Sequence, residues 1–392
     1  MKWINFLHIY QPVNMDAYII REATEKSYLR LVRALEEHPE IKFTININGS
    51  LIIRWEDLGY SELINRIGRL IKRGQIDLTG TACYHPVLPL IPEKEGLSQI
   101  KENEQILKKH FGADFKPKGF YLPEMAYSPK AAKLVKKMGY KWIILDEIAY
   151  SGKIGEADCG KVYLDKNSGL KVVLRSREIS NQYVPEAIDK ILDNKSYAGK
   201  SIITGTDGEL YGLKHIDHTA IFEALLKRSD LKTITISEFI ASEKVAEKIN
   251  ILSHSWATTE KEFKLGQPFN LWQNKKNKIQ MKLWELADLV YDTIEVNKKD
   301  KNYLGARWYL VRGFASCSFW WASGKDFELF GALSWNPDEI ERGLNEFIRA
   351  IRTLDNQGTK SAKLKAEKLY LAIKKMIWEK HWNKHWQGNT KK

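Results

Sequence analysis

The sequence predicts an α/β fold, a (β/α) barrel followed by a C-terminal helical bundle, on three observations. Short apolar runs alternate with amphipathic ones through the first 250 residues, the pattern of repeated βα units around a parallel sheet. No Gly-x-Gly-x-x-Gly and no phosphate-binding loop follows any of the apolar runs, which removes the usual reason for an open dinucleotide-binding sheet. After about residue 255 the strand signals fade and helical periodicity replaces them.

The candidate strands, each a short apolar run, are Trp3–Tyr10, Ile41–Asn48, Gln75–Ala82, Gly119–Leu122, Trp142–Leu145, Val172–Arg175, Ser201–Gly205 and Thr233–Ile236. Helices are expected between them; in the first, Tyr28, Leu31, Val32 and Leu35 recur at the spacing that lines one face. In the second half, Ile279, Leu283, Leu286, Ala287, Val290 and Ile294 mark one helix. Asn336-Pro337 reads as an N-cap followed by proline at the first helical position, opening a second helix with Ile340, Leu344 and Phe347. A third covers roughly 361–386. The expected domains are a catalytic barrel over 1–255 and a bundle over 256–392, packed on the barrel and contributing to the substrate cleft.

With 392 residues the chain has enough length for a full core without staples. Its three cysteines, Cys83, Cys159 and Cys317, are far apart and in no metal-ligand spacing, so neither a disulfide framework nor a metal site is expected. The net charge of +13 is spread along helical stretches instead of being gathered on one face, and no nucleic-acid motif is present. A solvated surface is expected, with no nucleic-acid partner. The opening apolar run is too short for a signal peptide and no later segment reaches membrane-spanning length, so a cytoplasmic protein with no membrane contact is expected. The 13 tryptophans are the more unusual figure, because indole faces stack on sugar rings as readily as they pack in cores.

Two apolar runs deliver an acid at their carboxyl end. Gly119–Leu122 leads through Pro123 to Glu124, just before a helix start at Ser128-Pro129, and Ser201–Thr206 leads to Asp207. In α/β barrels that end gathers reactive groups, and two carboxylates there suggest work on a glycosidic bond. A helix-capping acid accounts for Glu124 equally well on spacing alone. In Asp207-Gly208-Glu209 the first acid is nearer the strand end, and Glu209 is expected in support. His8 ends the first run before Tyr10, Gln11 and Pro12, a strand-end position that a packed histidine also occupies. His85 opens a loop with three prolines in seven residues, Pro86, Pro89 and Pro92, a stiff wall suited to a cleft rim. Trp256 and Trp272 lie in a turn-rich segment where a cleft wall is expected. Trp378, Trp382 and Trp386, interleaved with His381 and His385, read as the packed face of the last helix.

Taken in order, these segments resemble glycoside hydrolase family 57, whose members include amylopullulanases, α-amylases and 4-α-glucanotransferases. The resemblance rests on His8-Ile9-Tyr10-Gln11-Pro12, on Gly74–Thr79 running into Tyr84-His85-Pro86, on Phe120-Tyr121-Leu122-Pro123-Glu124, and on Thr206-Asp207-Gly208-Glu209-Leu210-Tyr211-Gly212. Trp256–Thr259, Pro268–Trp272 and Gln280–Leu289 look like the amylopullulanase-type branch. The resemblance implies an incomplete seven-stranded barrel, so that one of the eight candidate strands is not a stave. It implies a retaining reaction on α-glucan with Glu124 as nucleophile and Asp207 as general acid/base, and substrate contacts from His8, Gln11, His85, Tyr121, Glu209, Trp256 and Trp272. No cofactor is implied. Asp207 is expected to keep its proton near neutral pH through burial and the charge of Glu124. The chain departs from the family at Tyr10, where many members have a second histidine, and around Phe314–Trp321, which lacks an acid found in several members.

Two other readings stand beside this one. A metal-dependent polysaccharide deacetylase would use the turn Thr206-Asp207-Gly208 with His215 and His218, but it leaves Glu124 without a purpose. A catalytically silent carbohydrate-binding protein would keep the barrel and the aromatic walls.

Overall fold

A computed structural model describes residues 1–324 and 334–388, with side chains through residue 383. The chain divides into two compact units: Met1–Cys83 with Leu88–Trp256, and Tyr84–Val87 with Ala257–Lys392.

The first unit carries nine strands: β1 (Lys2–Ile9), β2 (Phe43–Ile47), β3 (Ile76–Thr79), β4 (Gly119–Phe120), β5 (Trp142–Asp146), β6 (Val162–Asp165), β7 (Lys171–Arg175), β8 (Ser201–Asp207) and β9 (Val245–Ile249). They form a four-stranded sheet of order β3-β2-β1-β8 and a five-stranded sheet of order β4-β5-β7-β6-β9. The pairs within β3-β2-β1-β8 and β4-β5-β7 are all parallel. The sheets meet first where Gly80 bridges Phe120, with Gly80 N donating to Gly119 O at 2.9 Å and Tyr121 N to Gly80 O at 2.8 Å. They meet again where Ser176 N donates to Ile203 O at 2.9 Å. The staves are therefore β1, β2, β3, β4, β5, β7 and β8, an incomplete seven-stranded barrel. Its ladder does not close, because the edge of β7 is taken by antiparallel β6 and β8 reaches β7 only near its carboxyl end.

Side-chain alternation gives each stave an inner and an outer face. Trp3, Leu7, Ile9, Ile45, Ile47 and Ile202 pack outward with helix residues such as Leu31, Leu35, Leu51 and Ile67. Ile4, Phe6, Trp142, Ile144, Val173 and Ile203 pack inward with Tyr121 and Met125. Both faces of β1 are buried, which is why the strand reads as one continuous apolar run. The same two-residue period carries the inner face on to His8, Asp146, Arg175 and Asp207, polar groups at the carboxyl ends of four staves.

The candidate strand at Thr233–Ile236 is not a stave. Thr233 makes one isolated bridge to Trp3, and Thr235 then caps the helix Ile236–Ser242 in a capping box with Glu238. The Thr-x-x-Glu spacing is a helix-start signal that outweighs the short apolar run. Strands β6 and β9 were not expected; four of the five residues of β9 are exposed, which leaves it without an apolar signature.

The second unit is a helical bundle whose long helices span Lys278–Val296, Tyr303–Gly313, Pro337–Thr353 and Lys360–Gly388. The stripe of Ile279, Leu283, Leu286, Ala287, Val290 and Ile294 is buried throughout. The Asn336 side chain accepts from Asp338 N and Glu339 N with Pro337 in the first turn, the cap expected from the sequence. Trp378 donates to Glu341 and stacks on Trp382 with ring centres 6.2 Å apart; the side chains of His385 and Trp386 lie outside the described ones. Among the described residues no helix is long and apolar enough to cross a membrane.

Candidate active site

The parallel register sets Asn46 of β2 and Asp207 of β8 on either side of His8 of β1. His8 Nδ1 lies 2.9 Å from Asn46 Oδ1, and its ring packs on that of Tyr121 with centres 4.6 Å apart. Burial is the main cause that lowers the imidazole to about 4, with Lys214 adding to it against the opposing pull of Asp207 and Asn46. The ring is therefore neutral at pH 7.

Glu124 follows β4 in a tight turn with φ 62°, and Met125 after it has φ 45°. Left-handed backbone at a residue with a Cβ costs on the order of 1–3 kcal/mol and clusters at functional sites. The turn lifts the Glu124 carboxylate off the strand, where it accepts from Trp256 Nε1 at 3.0 Å. The Trp256 backbone N–H donates to Glu124 O at 3.2 Å, so one residue holds the acid from both ends. Trp256 is itself backed by Arg175, whose guanidinium carbon lies 5.2 Å from the ring centre.

Asp207 ends β8, and its side chain is 28% exposed with Lys214 Nζ at 2.8 Å. Burial pushes its carboxyl up, but Lys214, His8 and Arg175 together outweigh it and hold Asp207 below the usual carboxylate range. A carboxyl that keeps its proton at neutral pH was expected here; the ammonium group beside it reverses the direction. Glu209, two residues on, takes the opposite course. It is 3% exposed, accepts from the Tyr28 hydroxyl and from Gln11 Nε2 at 3.0 Å, and is pushed up to about 7. Burial is the main cause, Lys214 opposes it, and the charge of Asp207 adds to it.

These groups share one neighbourhood. The Trp256 ring that holds Glu124 lies, centre to centre, 6.3 Å from Tyr121 and 6.2 Å from His8, the register partner of Asp207. The Tyr121 hydroxyl is raised chiefly by its own burial and then by the negative charge of Glu124 and Asp207. His8, Gln11, Tyr121, Glu124, Asp207, Glu209 and Trp256 all belong to the first unit. His85 and Trp272 belong to the second. His85 is 1% exposed, with φ 56° and Nδ1 3.0 Å from Ser316 Oγ. Trp272 is also 1% exposed and its carbonyl accepts from Trp284 Nε1 at 2.9 Å. Its indole is buried, whereas a cleft wall was expected from its turn-rich segment.

Several partners in this network went unread in the sequence. Arg175 ends an apolar strand just as Asp207 does; its Nε donates to Asp146 Oδ2 at 2.9 Å and its Nη1 to Gly205 O at 2.6 Å, while Arg177 donates to both oxygens of Asp146. Tyr28 was legible only as part of an apolar helix face, and Lys214 had no local signal at all. His215, one of the two histidines of the deacetylase alternative, is stacked on Tyr183 with ring centres 3.9 Å apart. Among the described residues, no three His, Cys, Asp or Glu side chains gather where they could hold a metal ion.

Comparison with known proteins adds to this geometry. Residues 2–251 match Glycosyl hydrolase family 57. Alpha-amylase 1 of Dictyoglomus thermophilum is 28% identical over 225 residues, 55% of this chain and 32% of that protein. The structure of the 4-alpha-glucanotransferase from Thermococcus litoralis superposes with a TM-score of 0.72 at 19% identity, over 91% of this chain and 61% of that one. The branching enzyme from Pyrococcus horikoshii superposes with a TM-score of 0.70 at 16% identity, over 94% of both chains. The match thus spans about a third of the length of the curated relative.

Proposed function

The chain belongs to glycosyl hydrolase family 57, and from that premise we propose that it cleaves or transfers glucosyl units of α-glucans with retention of anomeric configuration. Glu124 is the nucleophile and Asp207 the general acid/base. The observation that carries this reading is a chain of contacts between the two acids: Glu124 accepts from Trp256 Nε1, the Trp256 ring lies 6.3 Å from Tyr121 and 6.2 Å from His8, and His8 is the register partner of Asp207.

In this mechanism Asp207 gives a proton to the leaving glycosidic oxygen while a Glu124 oxygen bonds to the anomeric carbon. Asp207 then takes a proton from water or an acceptor sugar hydroxyl, whose oxygen displaces Glu124. Trp256 fixes the nucleophile through its indole N–H. Trp256, which is only partly buried, offers a sugar ring an apolar face, with buried Tyr121 and neutral His8 packed beside it. Gln11 and Glu209 act from behind Asp207.

The test is product analysis on maltoheptaose, pullulan and glycogen for the intact protein, Glu124→Gln and Asp207→Asn. Conversion is expected with the intact protein and loss with Glu124→Gln. Asp207→Asn is expected to lower the rate by roughly 10²- to 10⁴-fold, the usual worth of general acid/base catalysis. Three substrates left unchanged by the intact protein would sink the assignment.

A further inference from the structure

The segment that follows Asp207 doubles back on itself. After the turn Gly208–Tyr211, Leu213 N and Lys214 N both donate to Glu209 O, at 3.0 and 2.8 Å. Leu213 N also receives Ser27 Oγ as an acceptor at 3.0 Å. Gly212, with φ 141°, makes the turn possible, because a Cβ there would lie 2.2 Å from Lys26 O. Three residues beyond Lys214, Asp217 is tied to Arg30 at 2.9 Å and to the Tyr183 hydroxyl at 3.0 Å. The backbone of Lys214 is thus held on both sides, and its ammonium group is delivered to Asp207 Oδ2 at 2.8 Å.

We propose that Lys214 is a positioning residue for the acid/base step: its ammonium group keeps Asp207 ionised in the free enzyme and governs when that carboxyl takes up the proton it delivers to the leaving oxygen. The proposal rests on the assignment of Asp207 as general acid/base. A general acid must be protonated when substrate is attacked, whereas a carboxylate 2.8 Å from an ammonium group resists protonation by the full strength of that contact. Asp207 therefore takes a proton from solvent as the contact with Lys214 loosens. It passes that proton to the glycosidic oxygen, regains one from the incoming hydroxyl and returns it to solvent as the Lys214 contact re-forms, so that no proton is gained or lost over the cycle.

The charged and titratable groups around the pair come from several elements. His8 on β1 and Arg175 on β7 act on Asp207 in the same sense as Lys214. Glu209 feels Lys214 and Asp207 with opposite sign and is hydrogen bonded to Tyr28, and Glu124 acts with Asp207 on Tyr121. Lys214 differs from the other two basic neighbours of Asp207. His8 is neutral at pH 7, and Arg175 is bonded to Asp146 and Gly205 O. Removing the Lys214 charge therefore releases Asp207 and Glu209 toward their protonated forms together.

The experiment is the pH dependence of kcat/KM on maltoheptaose for the intact protein, Lys214→Met and Lys214→Arg, with melting curves to show that each folds. The alkaline limb reports the acid of the free enzyme. Lys214→Met is expected to move that limb up by about one pH unit, the lower end of what an adjacent opposite charge contributes, while Lys214→Arg keeps it near its original place. An unmoved limb in Lys214→Met, or an equal shift in both variants, overturns the proposal. Should Lys214→Met be too slow to profile, the carboxyl of Asp207 is titrated by ¹³C NMR in Glu124→Gln with and without Lys214→Met. A higher midpoint in the double variant supports the proposal, and an unchanged midpoint overturns it. Asp207→Asn run alongside separates the two levels: full activity in that variant defeats the catalytic assignment, while the NMR midpoint still decides whether Lys214 controls the proton.

Discussion

Asp207 and Glu209 are two residues apart and lie on opposite sides of the ordinary carboxylate range, and the cause is what each faces. Asp207 keeps some solvent and an ammonium neighbour; Glu209 is enclosed with a phenol and an amide. The folded-state value of Glu209, about 7 against an ordinary 4.5, means that the folded protein binds this proton more tightly than the unfolded chain. Its burial is free of penalty below pH 4.5, and stability drawn from it is lost as pH rises through 7. Glu209→Gln, which mimics the protonated form, is therefore expected to match the parent in melting temperature near pH 4 and to exceed it increasingly between pH 4.5 and 7; a difference that does not grow with pH would refute this. His8 has the opposite slope, because an imidazole lowered to about 4 costs stability as pH falls below 6.5. At Trp256, substitution by Phe keeps the ring and removes the donor to Glu124. A hydrogen bond to a charged group contributes about 1.5–3 kcal/mol, so kcat/KM should fall roughly tenfold or more with the melting temperature little changed.

At the scale of elements, β4 and β5 pack closely where Gly119 faces Trp142. A Cβ at Gly119 would lie 2.1 Å from Trp142 Cζ2, so Gly119→Ala must push the indole from its place in the inner core. Overpacking of this kind costs about 1–3 kcal/mol, and a fall in melting temperature of roughly 5 °C is expected for a unit of this size. Asp146 holds both Arg175 and Arg177 in a buried network. Asp146→Asn leaves two guanidinium groups short of their counter-ion and should cost about 3–5 kcal/mol in urea unfolding. Seven of the eight candidate strands correspond to staves, because each is an apolar run long enough to be buried on both faces. Thr233–Ile236 went the other way for a reason also present in its residues, the Thr235-to-Glu238 capping box. The brevity of β4 was not legible, since its pairing ends where the chain turns to present Glu124.

For the molecule as a whole, the proposed roles of Glu124 as nucleophile and Asp207 as general acid/base predict a retaining outcome. Proton NMR of the first product from maltoheptaose should show the α-anomer before mutarotation, and initial release of the β-anomer would rule the mechanism out. What the sequence by itself determined was the alternation of strand and helix, the two carboxylates at stave ends and the switch to long helices after residue 255. All of these are written in local periodicity and in residues next to one another. What only the tertiary structure decided was which groups meet. Asn46 stands beside His8 through strand register, Trp256 reaches Glu124 across 132 positions of sequence, and Trp272 turns out to be buried. The direction of the proton at Asp207 was decided in the same way. Burial alone argues for a protonated acid, but a looped-back lysine 2.8 Å away reverses it, because an ion pair depends on distance in space and leaves no trace in the local pattern of the chain.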